Sequence, residues 1–179
     1  MGRLKRTQIK SPKGKVVSLV EMEESIARLF GIRINIIVPN ISWGLGGMHE
    51  CDLLIVRPSG YAIEVEIKRS KSDLKADFKK KHDHSDKRIQ KFYYALPEEL
   101  LASCIELIPD RCGIITVSKL RGGVQAKIHR DIKAGTCRKL TDAEMFKVAK
   151  LGVMRVWNLK RKLAVANDKI EELKIDKIL

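Results

Sequence analysis

The chain has 179 residues, of which 44% are hydrophobic and 32% charged, with a formal net charge of +14 and a pI near 9.8. This length and apolar content suit one domain with a single buried core. No apolar stretch approaches the roughly 20 residues of a membrane-spanning helix, and the charged N-terminus does not resemble a secretory signal. We therefore expect a cytoplasmic protein without a membrane partner. The excess positive charge predicts a polyanionic partner, with nucleic acid as the first candidate.

The cysteines are widely spaced and form no CxxC pair, so the spacing of a zinc site is missing. We expect reduced thiols rather than a metal or cluster site. These residues are Cys51, Cys104, Cys112 and Cys137.

The N-terminal half begins with a basic flexible arm over residues 1–15 and continues with a helix from Val16 to Phe30 that Gly31 ends. The apolar residues expected on one side of this helix are Val16, Leu19, Val20, Ile26, Ala27 and Phe30. A short strand follows over 33–38, closed by Pro39 and Asn40. Strands over 52–56 and 61–68 then form a hairpin around Pro58-Ser59-Gly60.

The second half starts with a charged helix that Ser70 or Ser72 caps and that runs towards Lys81. A strand over 92–96 precedes a helix from Pro97 to Leu107. Strands over 113–117 and 124–129 form a second hairpin, split by Arg121-Gly-Gly.

A capping box at Thr141–Glu144 opens a helical tail that continues to about Leu173 as one helix or two. We expect Leu151, Met154 and Trp157 to be buried against the domain or a partner helix. The predicted division is therefore an arm (1–15), an α/β domain with a mixed sheet flanked by helices (16–139) and a C-terminal helical extension (140–179).

One predicted strand carries an unusual row of charges. Because side chains alternate along a strand, Glu64, Glu66 and Lys68 share one face. Asp52 opens the neighbouring strand of the hairpin, where opposed side chains lie roughly 5 Å apart. Two carboxylates on adjacent strands form an oxygen-rich pocket suited to Mg²⁺. An adjacent ammonium would favour phosphodiester hydrolysis, because it can stabilise negative charge in the transition state.

The Asp52 of one strand and the Glu66-Ile67-Lys68 of the next resemble the PD-(D/E)XK signature of restriction-endonuclease-like nucleases. The order of elements over 16–117 also resembles the αβββαβ core of that family, although Cys51 stands where the proline of the family name would be. The resemblance implies a DNA-repair-type or mobile-element-type nuclease. The resemblance also implies that Asp52 and Glu66 bind Mg²⁺ (or Mn²⁺) and that Lys68 supports the attacking water. Whether it would be an endonuclease or an exonuclease, and whether RNA is also a substrate, stays open.

Many family members add an acidic residue from the first helix. Glu23 lies within the predicted apolar stripe and is our choice for a further metal ligand and catalytic residue, with Glu24 as the alternative. Either Glu64 or Glu66 could be the metal ligand on their strand, and the Glu-x-Lys spacing favours Glu66. Glu64 could instead hold the ligands in position without touching the metal. We expect Glu50 to lie in a loop outside the site.

A basic stretch directly follows the charged strand and predicts phosphate contacts. The candidate DNA-binding residues are Arg69, Lys71, Lys79, Lys80 and Lys81. A solvated helix face, with Asp73 and Asp77 in i,i+4 pairs, is the alternative. Gln90 and Tyr94 match a QxxxY pattern of some exonuclease branches, but we interpret 92–96 as a strand and the match as coincidental.

Two other functions stay open at this point. The chain could be a DNA-binding module of the same fold without catalysis, or a protein-interaction subunit that acts through its helical tail. A homodimer through the C-terminal helix is also open.

Overall fold

The computed structural model describes residues 17–41, 50–79 and 86–175. These residues form one six-stranded sheet with helices on both faces. The strands are β1 (Ile36–Ile41), β2 (Cys51–Val56), β3 (Ala62–Ile67), β4 (Ile89–Pro97), β5 (Gly113–Leu120) and β6 (Gly123–Arg130). The α-helices are α1 (Leu19–Leu29), α2 (Lys71–Asp77), α3 (Leu101–Cys104) and α4 (Asp142–Ile175).

The sheet is mixed, and its spatial order follows the chain from β1 to β6. Strands β1 to β3 form an antiparallel meander, and β5 with β6 forms an antiparallel hairpin. Strand β4 runs parallel to both β3 and β5. The expected α/β class and mixed sheet are therefore confirmed, and so is the hairpin that joins β2 to β3.

Helix α1 covers one face of the sheet. Ser18 and Glu21 form a capping box, so the helix begins at Leu19, three residues later than predicted. The predicted apolar stripe is confirmed at Ile26 and Ala27, which are buried, and wrong at Leu19 and Val20, which are exposed. Met22, which the prediction left out, is buried, and Val16 lies outside the described residues. The core beneath α1 contains Val17, Met22, Ile26, Leu53, Ile55, Ile63, Val65, Ile67, Tyr93, Ala95, Ile115, Val117 and Ala126.

The opposite face of the sheet is covered by two groups of helices. The first turns of α4 bury Val148 and Leu151 against Val38 and Leu54. Helices α2 and α3 cover the other half of this face, where Leu74 packs with Phe92 and Tyr94. Both faces of β3 are therefore buried, which explains why a strand with two glutamates has no exposed residue.

Strand β1 corrects the expectation that Pro39 and Asn40 close the first strand. Both residues lie inside β1, and Asn40 has a positive φ of 51°. Proline is tolerated here because β1 is the edge of the sheet, where a missing N–H costs no ladder hydrogen bond.

The region around Pro97 also differs from the expectation. Strand β4 extends through Pro97, and the predicted helix up to Leu107 is replaced by short α3 between two 3₁₀ turns. Helix α2 begins at its predicted cap, Ser70, but ends at Asp77. The predicted continuation to Lys81 reaches beyond the residues that the structure describes.

Helix α4 is one helix that starts after a capping box of Thr141 and Glu144. Leu151 is buried as expected, but Met154 and Trp157 are exposed. The first turns of the predicted extension thus belong to the core, and the rest extends past it. Within the described residues, no helix is both long and apolar enough to cross a bilayer.

Candidate active site

The site begins with the pairing of β2 and β3. Leu53 lies opposite Val65, and continuing this antiparallel register by one pair places Asp52 opposite Glu66. Oδ2 of Asp52 accepts a hydrogen bond from the backbone N–H of Ile67 at 2.7 Å. The hairpin therefore brings the two predicted metal-binding carboxylates together and anchors Asp52 against the end of β3.

The three charged residues of β3 and its end are all buried. Glu64 is fully buried, and Glu66 and Lys68 are each only 4% exposed. Lys68 follows the last residue of β3, and its backbone N–H donates to the carbonyl of Ala95 at 2.8 Å. Strand β4 thus fixes the backbone of Lys68, and a solvated strand face is not the explanation for these charges.

Lys68 lies in the centre of a buried polar network. Its Nζ donates to Oε2 of Glu66 at 2.8 Å and to Oδ1 of Asp77 at 2.9 Å. The hydroxyl of Tyr94 donates to Oδ2 of Asp77 at 2.9 Å. Asp77 is 3% exposed and comes from the last turn of α2, and Tyr94 lies opposite Glu66 in β4. The network therefore joins two strands and a helix.

Asp77 and Tyr94 are the two residues of this network that the sequence analysis missed. In the sequence, Asp77 figures only in the alternative of a solvated helix face, and Tyr94 only in a pattern match interpreted as coincidental. A signal for Asp77 exists in the sequence, because Leu74 is three residues earlier and helical residues at i and i+3 share a face. Leu74 and Asp77 are indeed the buried residues of α2.

An open cleft of about 300 Å³ lies beside this network. It is lined by Leu19, Glu50, Asp52, Glu66, Ile67, Lys68, Arg69 and Asp73. The expectation that Glu50 lies away from the site is wrong, because Glu50 precedes β2 directly and lines the cleft with Asp52. Three carboxylates of the β2–β3 region therefore face one space, together with the backbone that follows β3.

Burial and neighbouring charges shift the pKa values of the groups beside this cleft. Burial and the nearby charge of Asp52 raise the pKa of Glu66 to about 7, although Lys68 acts in the opposite direction. Burial by itself would lower the pKa of Lys68, but Glu66 and Asp77 outweigh it and hold the ammonium charged. Burial and its bond to Asp77 raise the pKa of Tyr94, which keeps the hydroxyl protonated as a donor.

Glu23 lies on α1 at the border of this region. It is half-buried, and burial together with the charge of Asp52 raises its pKa. Glu24 is exposed and forms an ion pair with Arg28, so the geometry favours Glu23 over Glu24. Among residues 17–41, 50–79 and 86–175, however, no three acidic, histidine or cysteine side chains are arranged to hold one metal ion. A role for Glu23 as a metal ligand stays a prediction.

Glu64 lies deeper on the same face of β3, opposite Leu54 in β2 and Phe92 in β4. Burial, and then the charge of Glu64, raises the pKa of the Cys51 thiol, which keeps it protonated. The four cysteines are free thiols, and three of them are buried. Support of Glu66 by Glu64 stays a prediction.

The basic residues divide into two groups. Arg69 is exposed and lines the cleft, and Lys71 and Lys79 are exposed on and just after α2. In contrast, Arg88 is buried and paired with Asp86, and Lys91 is paired with Asp131. The predicted DNA-binding residues Lys80 and Lys81 lie outside the described residues.

Comparisons with known proteins give a fold and no activity. No family model matches the chain, and no curated protein matches it. A solved structure of a protein of unknown function from Silicibacter pomeroyi is similar over 88% of this chain and 95% of that chain, with a TM-score of 0.55 and 18% sequence identity. This similarity shows that the two chains share an overall fold.

Proposed function

We propose that this protein hydrolyses phosphodiester bonds of DNA with the help of a divalent metal ion, as a PD-(D/E)XK-type nuclease. The observation that carries the proposal is that three charged groups at the end of β3 line one cleft. Asp52 and Glu66 lie on opposed positions of adjacent strands and line one cleft, and Lys68 is hydrogen bonded to Glu66.

The topology around these residues supports the proposal. Helix α1 precedes an antiparallel meander of three strands, and α2 then leads to β4, which is parallel to β3. This order resembles the αβββαβ core of the restriction-endonuclease-like family, and the charged residues lie at a hairpin in the position that the resemblance implies for the signature.

The donor set fits a hard cation. Mg²⁺ in proteins keeps several waters and is bound through one or two carboxylates, which suits the pair Asp52 and Glu66. A cation between them would also relieve the repulsion that contributes to the raised pKa of Glu66. Asp52 and Glu66 would hold the ion, which when bound would neutralise phosphate charge and lower the pKa of a water.

The chain itself supplies an oriented ammonium. Lysine has three N–H donors, and Glu66 and Asp77 take two of the donors of Lys68. The third can donate to a phosphate oxygen or to the attacking water. Because Asp77 is fixed in turn by Tyr94, the ammonium is held in place before substrate binds, which avoids reorganisation during the reaction.

DNA is the substrate class that fits the charge of the chain and the rim of the cleft. Arg69 lines the cleft, and Lys71 and Lys79 are exposed on the adjoining helix. Cations in such positions bind phosphates without reading sequence. Lys80 and Lys81 follow directly in the sequence and add to its basic charge.

The test is cleavage of linear, branched and single-stranded DNA by the purified full chain with Mg²⁺ or Mn²⁺. Asp52→Asn, Glu66→Gln and Lys68→Met are each expected to lose at least about 100-fold in rate. Lys68→Met should still bind DNA. Glu24→Gln and Lys127→Met are the matched controls, because both residues are exposed surface ion-pair partners, and they should cleave like the wild type.

A wild-type protein that cuts none of these substrates, or an Asp52→Asn variant that cuts at the wild-type rate, would contradict the proposal. DNA binding that weakens steeply with salt, needs no metal and leads to no cleavage would instead support a non-catalytic binding module. Circular dichroism of each variant separates a loss of chemistry from a loss of fold.

A further inference from the structure

The second half of α4 carries apolar residues at a regular spacing. Starting from Val156, they alternate at three and four residues, which is the a/d pattern of a coiled coil. We call this row the seam, and it consists of Val156, Leu159, Leu163, Ala166, Ile170 and Leu173. All six residues lie within one continuous helix, so the pattern in the sequence is also a continuous row in space.

The seam is not covered by its own domain. Val148 and Leu151, earlier in α4, are buried on the sheet. In contrast, Val156, Leu163 and Ile170 are between 50% and 61% exposed, and Leu159, Ala166 and Leu173 are exposed as well. A row of exposed apolar side chains of this length is unusual on a monomer and typical of an interaction surface.

The residues beside the seam, at the e and g positions of the heptads, carry one sign of charge. They are Arg155, Lys160, Lys162, Asn167 and Lys169, of which only Asn167 is uncharged. The acidic residues of this segment, Asp168, Glu171 and Glu172, lie at b, c and f positions on the outer side of the helix. Charges at e and g positions contact the partner helix and decide partner choice.

This distribution disfavours pairing with a second copy. In a parallel pair each g residue of one helix meets the e residue five positions later on the other, so Arg155 would meet Lys160 and Lys162 would meet Asn167. In an antiparallel pair, e residues meet e residues and g residues meet g residues. Both arrangements bring positive charges together beside an apolar seam, whereas acidic flanks on the partner would form ion pairs.

The seam is less suited to a membrane surface or to DNA than to another helix. A helix that lies on a bilayer needs a broad apolar face. Within 156–173 only two large apolar residues, Trp157 and Val165, are exposed outside the a/d row, and a row of this width fits another helix. For DNA, the five large apolar residues of the seam would separate the lysines on its two sides without contributing to phosphate contact.

We propose that residues 156–173 of α4 form a coiled coil with a helix of a different protein, which has an apolar seam and Asp or Glu on both sides of it. The contact would extend over about 27 Å, because each helical residue adds about 1.5 Å. This inference goes beyond the proposed hydrolysis and does not depend on it, since the seam lies on a part of α4 that does not line the cleft.

The test uses two fluorescently labelled synthetic peptides of four heptads with the same Leu and Val seam. One has Glu at all e and g positions and the other has Lys there. We expect the full-length protein to bind the Glu peptide at least about tenfold more tightly than the Lys peptide in anisotropy titrations, and to bind it less tightly as salt increases.

Two sets of variants locate the contact. Leu163→Asp places a charge in the seam and should weaken binding of the Glu peptide by more than about tenfold. Val165→Asp is the matched control, because Val165 is equally exposed but lies at a c position, and its binding should be unchanged. A variant with Lys160, Lys162 and Lys169 all changed to Glu should prefer the Lys peptide.

Equal binding of both peptides, or full binding by Leu163→Asp, would overturn the proposal. So would a wild-type dimer in analytical ultracentrifugation that Leu163→Asp converts to a monomer, because it would assign the seam to a second copy. Loss of binding to duplex DNA or to phosphatidylserine vesicles in Leu163→Asp but not in Val165→Asp would assign it to those surfaces instead. Both variants should melt like the wild type, because both residues are exposed.

Discussion

Oδ1 of Asp77 lies 2.9 Å from Nζ of Lys68, and this contact joins the last turn of α2 to the end of β3. Both side chains are at least 95% buried. Because Lys68 also contacts Glu66, the position of its ammonium depends on two carboxylates from two different elements. Asp77 is therefore a positioning residue for the candidate active site.

Removal of Asp77 should destabilise the protein strongly. Asp77→Ala leaves a buried ammonium with one carboxylate partner in place of two, and we expect a loss of about 3 kcal/mol in the free energy of unfolding. Urea denaturation measures this loss. Asp110→Ala is the control, because Asp110 is exposed and paired only at the surface with Arg130, and it should cost less than about 1 kcal/mol. Equal losses in the two variants would contradict the role of Asp77.

Tyr93 and Tyr94 are neighbours in β4, and the same substitution at each residue tests which of them affects DNA cleavage. Tyr94→Phe removes the bond that orients Asp77, so it should lower the unfolding free energy by about 1–3 kcal/mol and the rate of DNA cleavage by about tenfold. Tyr93 is on the other face of the sheet and donates to Asp131. Tyr93→Phe should leave the rate of cleavage unchanged, and equal effects on cleavage would show that Tyr94 has no special link to Lys68.

The raised pKa of Glu66 predicts a pH dependence of metal binding. Below a pH of about 7 the carboxyl group of the metal-free protein is protonated, and a proton then competes with the metal. We expect the affinity for Mn²⁺ to fall by up to about tenfold for each pH unit below 7, and to level off above 7. Isothermal titration calorimetry between pH 5.5 and about 8 measures this profile. A flat profile would contradict a role for Glu66 as a ligand with this pKa.

The raised pKa of Glu66 also predicts how the stability of the metal-free protein changes with pH. The folded-state pKa of Glu66 is raised, so the folded protein binds the proton more tightly than the unfolded chain does. The protonated carboxyl group of Glu66 therefore stabilises the folded protein at low pH, and this contribution is lost as pH increases from about 4.5 to about 7. We expect wild-type protein to lose on the order of 3 kcal/mol relative to Glu66→Gln over this window. Parallel pH curves for the two proteins would exclude this effect.

Gly113 lies so close to Tyr93 that a larger residue should destabilise the fold. A Cβ atom at Gly113 would lie 2.2 Å from the ring of Tyr93, which fills the core under α1. Gly113→Ala should therefore destabilise the protein by about 1–3 kcal/mol or more. Gly122 is the control, because a Cβ there meets no other atom of the described residues within 4 Å. Thermal denaturation of both variants should separate them, and similar melting temperatures would contradict this packing argument.

Much of the β2–β3 part of the site could be predicted from the sequence. The turn at Pro58-Ser59-Gly60 fixes the hairpin, and alternation along β3 places Glu64 and Glu66 on one face. These are local rules, and they are sufficient to bring Asp52 opposite Glu66. The start of α4 is a similar case, because the capping box at Thr141–Glu144 is a signal contained in four consecutive residues.

Other features of the fold could not be predicted, because they depend on contacts between elements that are distant in the sequence. The register of α1 on the sheet decided that Met22 is buried and Val20 exposed. The sequence pattern predicted the burial of Ile26 correctly but placed Val20 on the buried side. The order of strands decided that β1 is an edge, which allows Pro39 within it. The extent of β4 through Pro97 follows from its pairing with β5.

The sequence by itself determined the class of fold, the hairpin and the row of charges that it carries, because turn residues and two-residue alternation act over a few positions of the chain. Only the tertiary structure decided that Asp77 and Tyr94 hold Lys68, that Glu50 lines the cleft and that the seam of α4 stays exposed. Those outcomes depend on how helices dock on the sheet, and docking is set by the combined packing of many residues far apart in the chain.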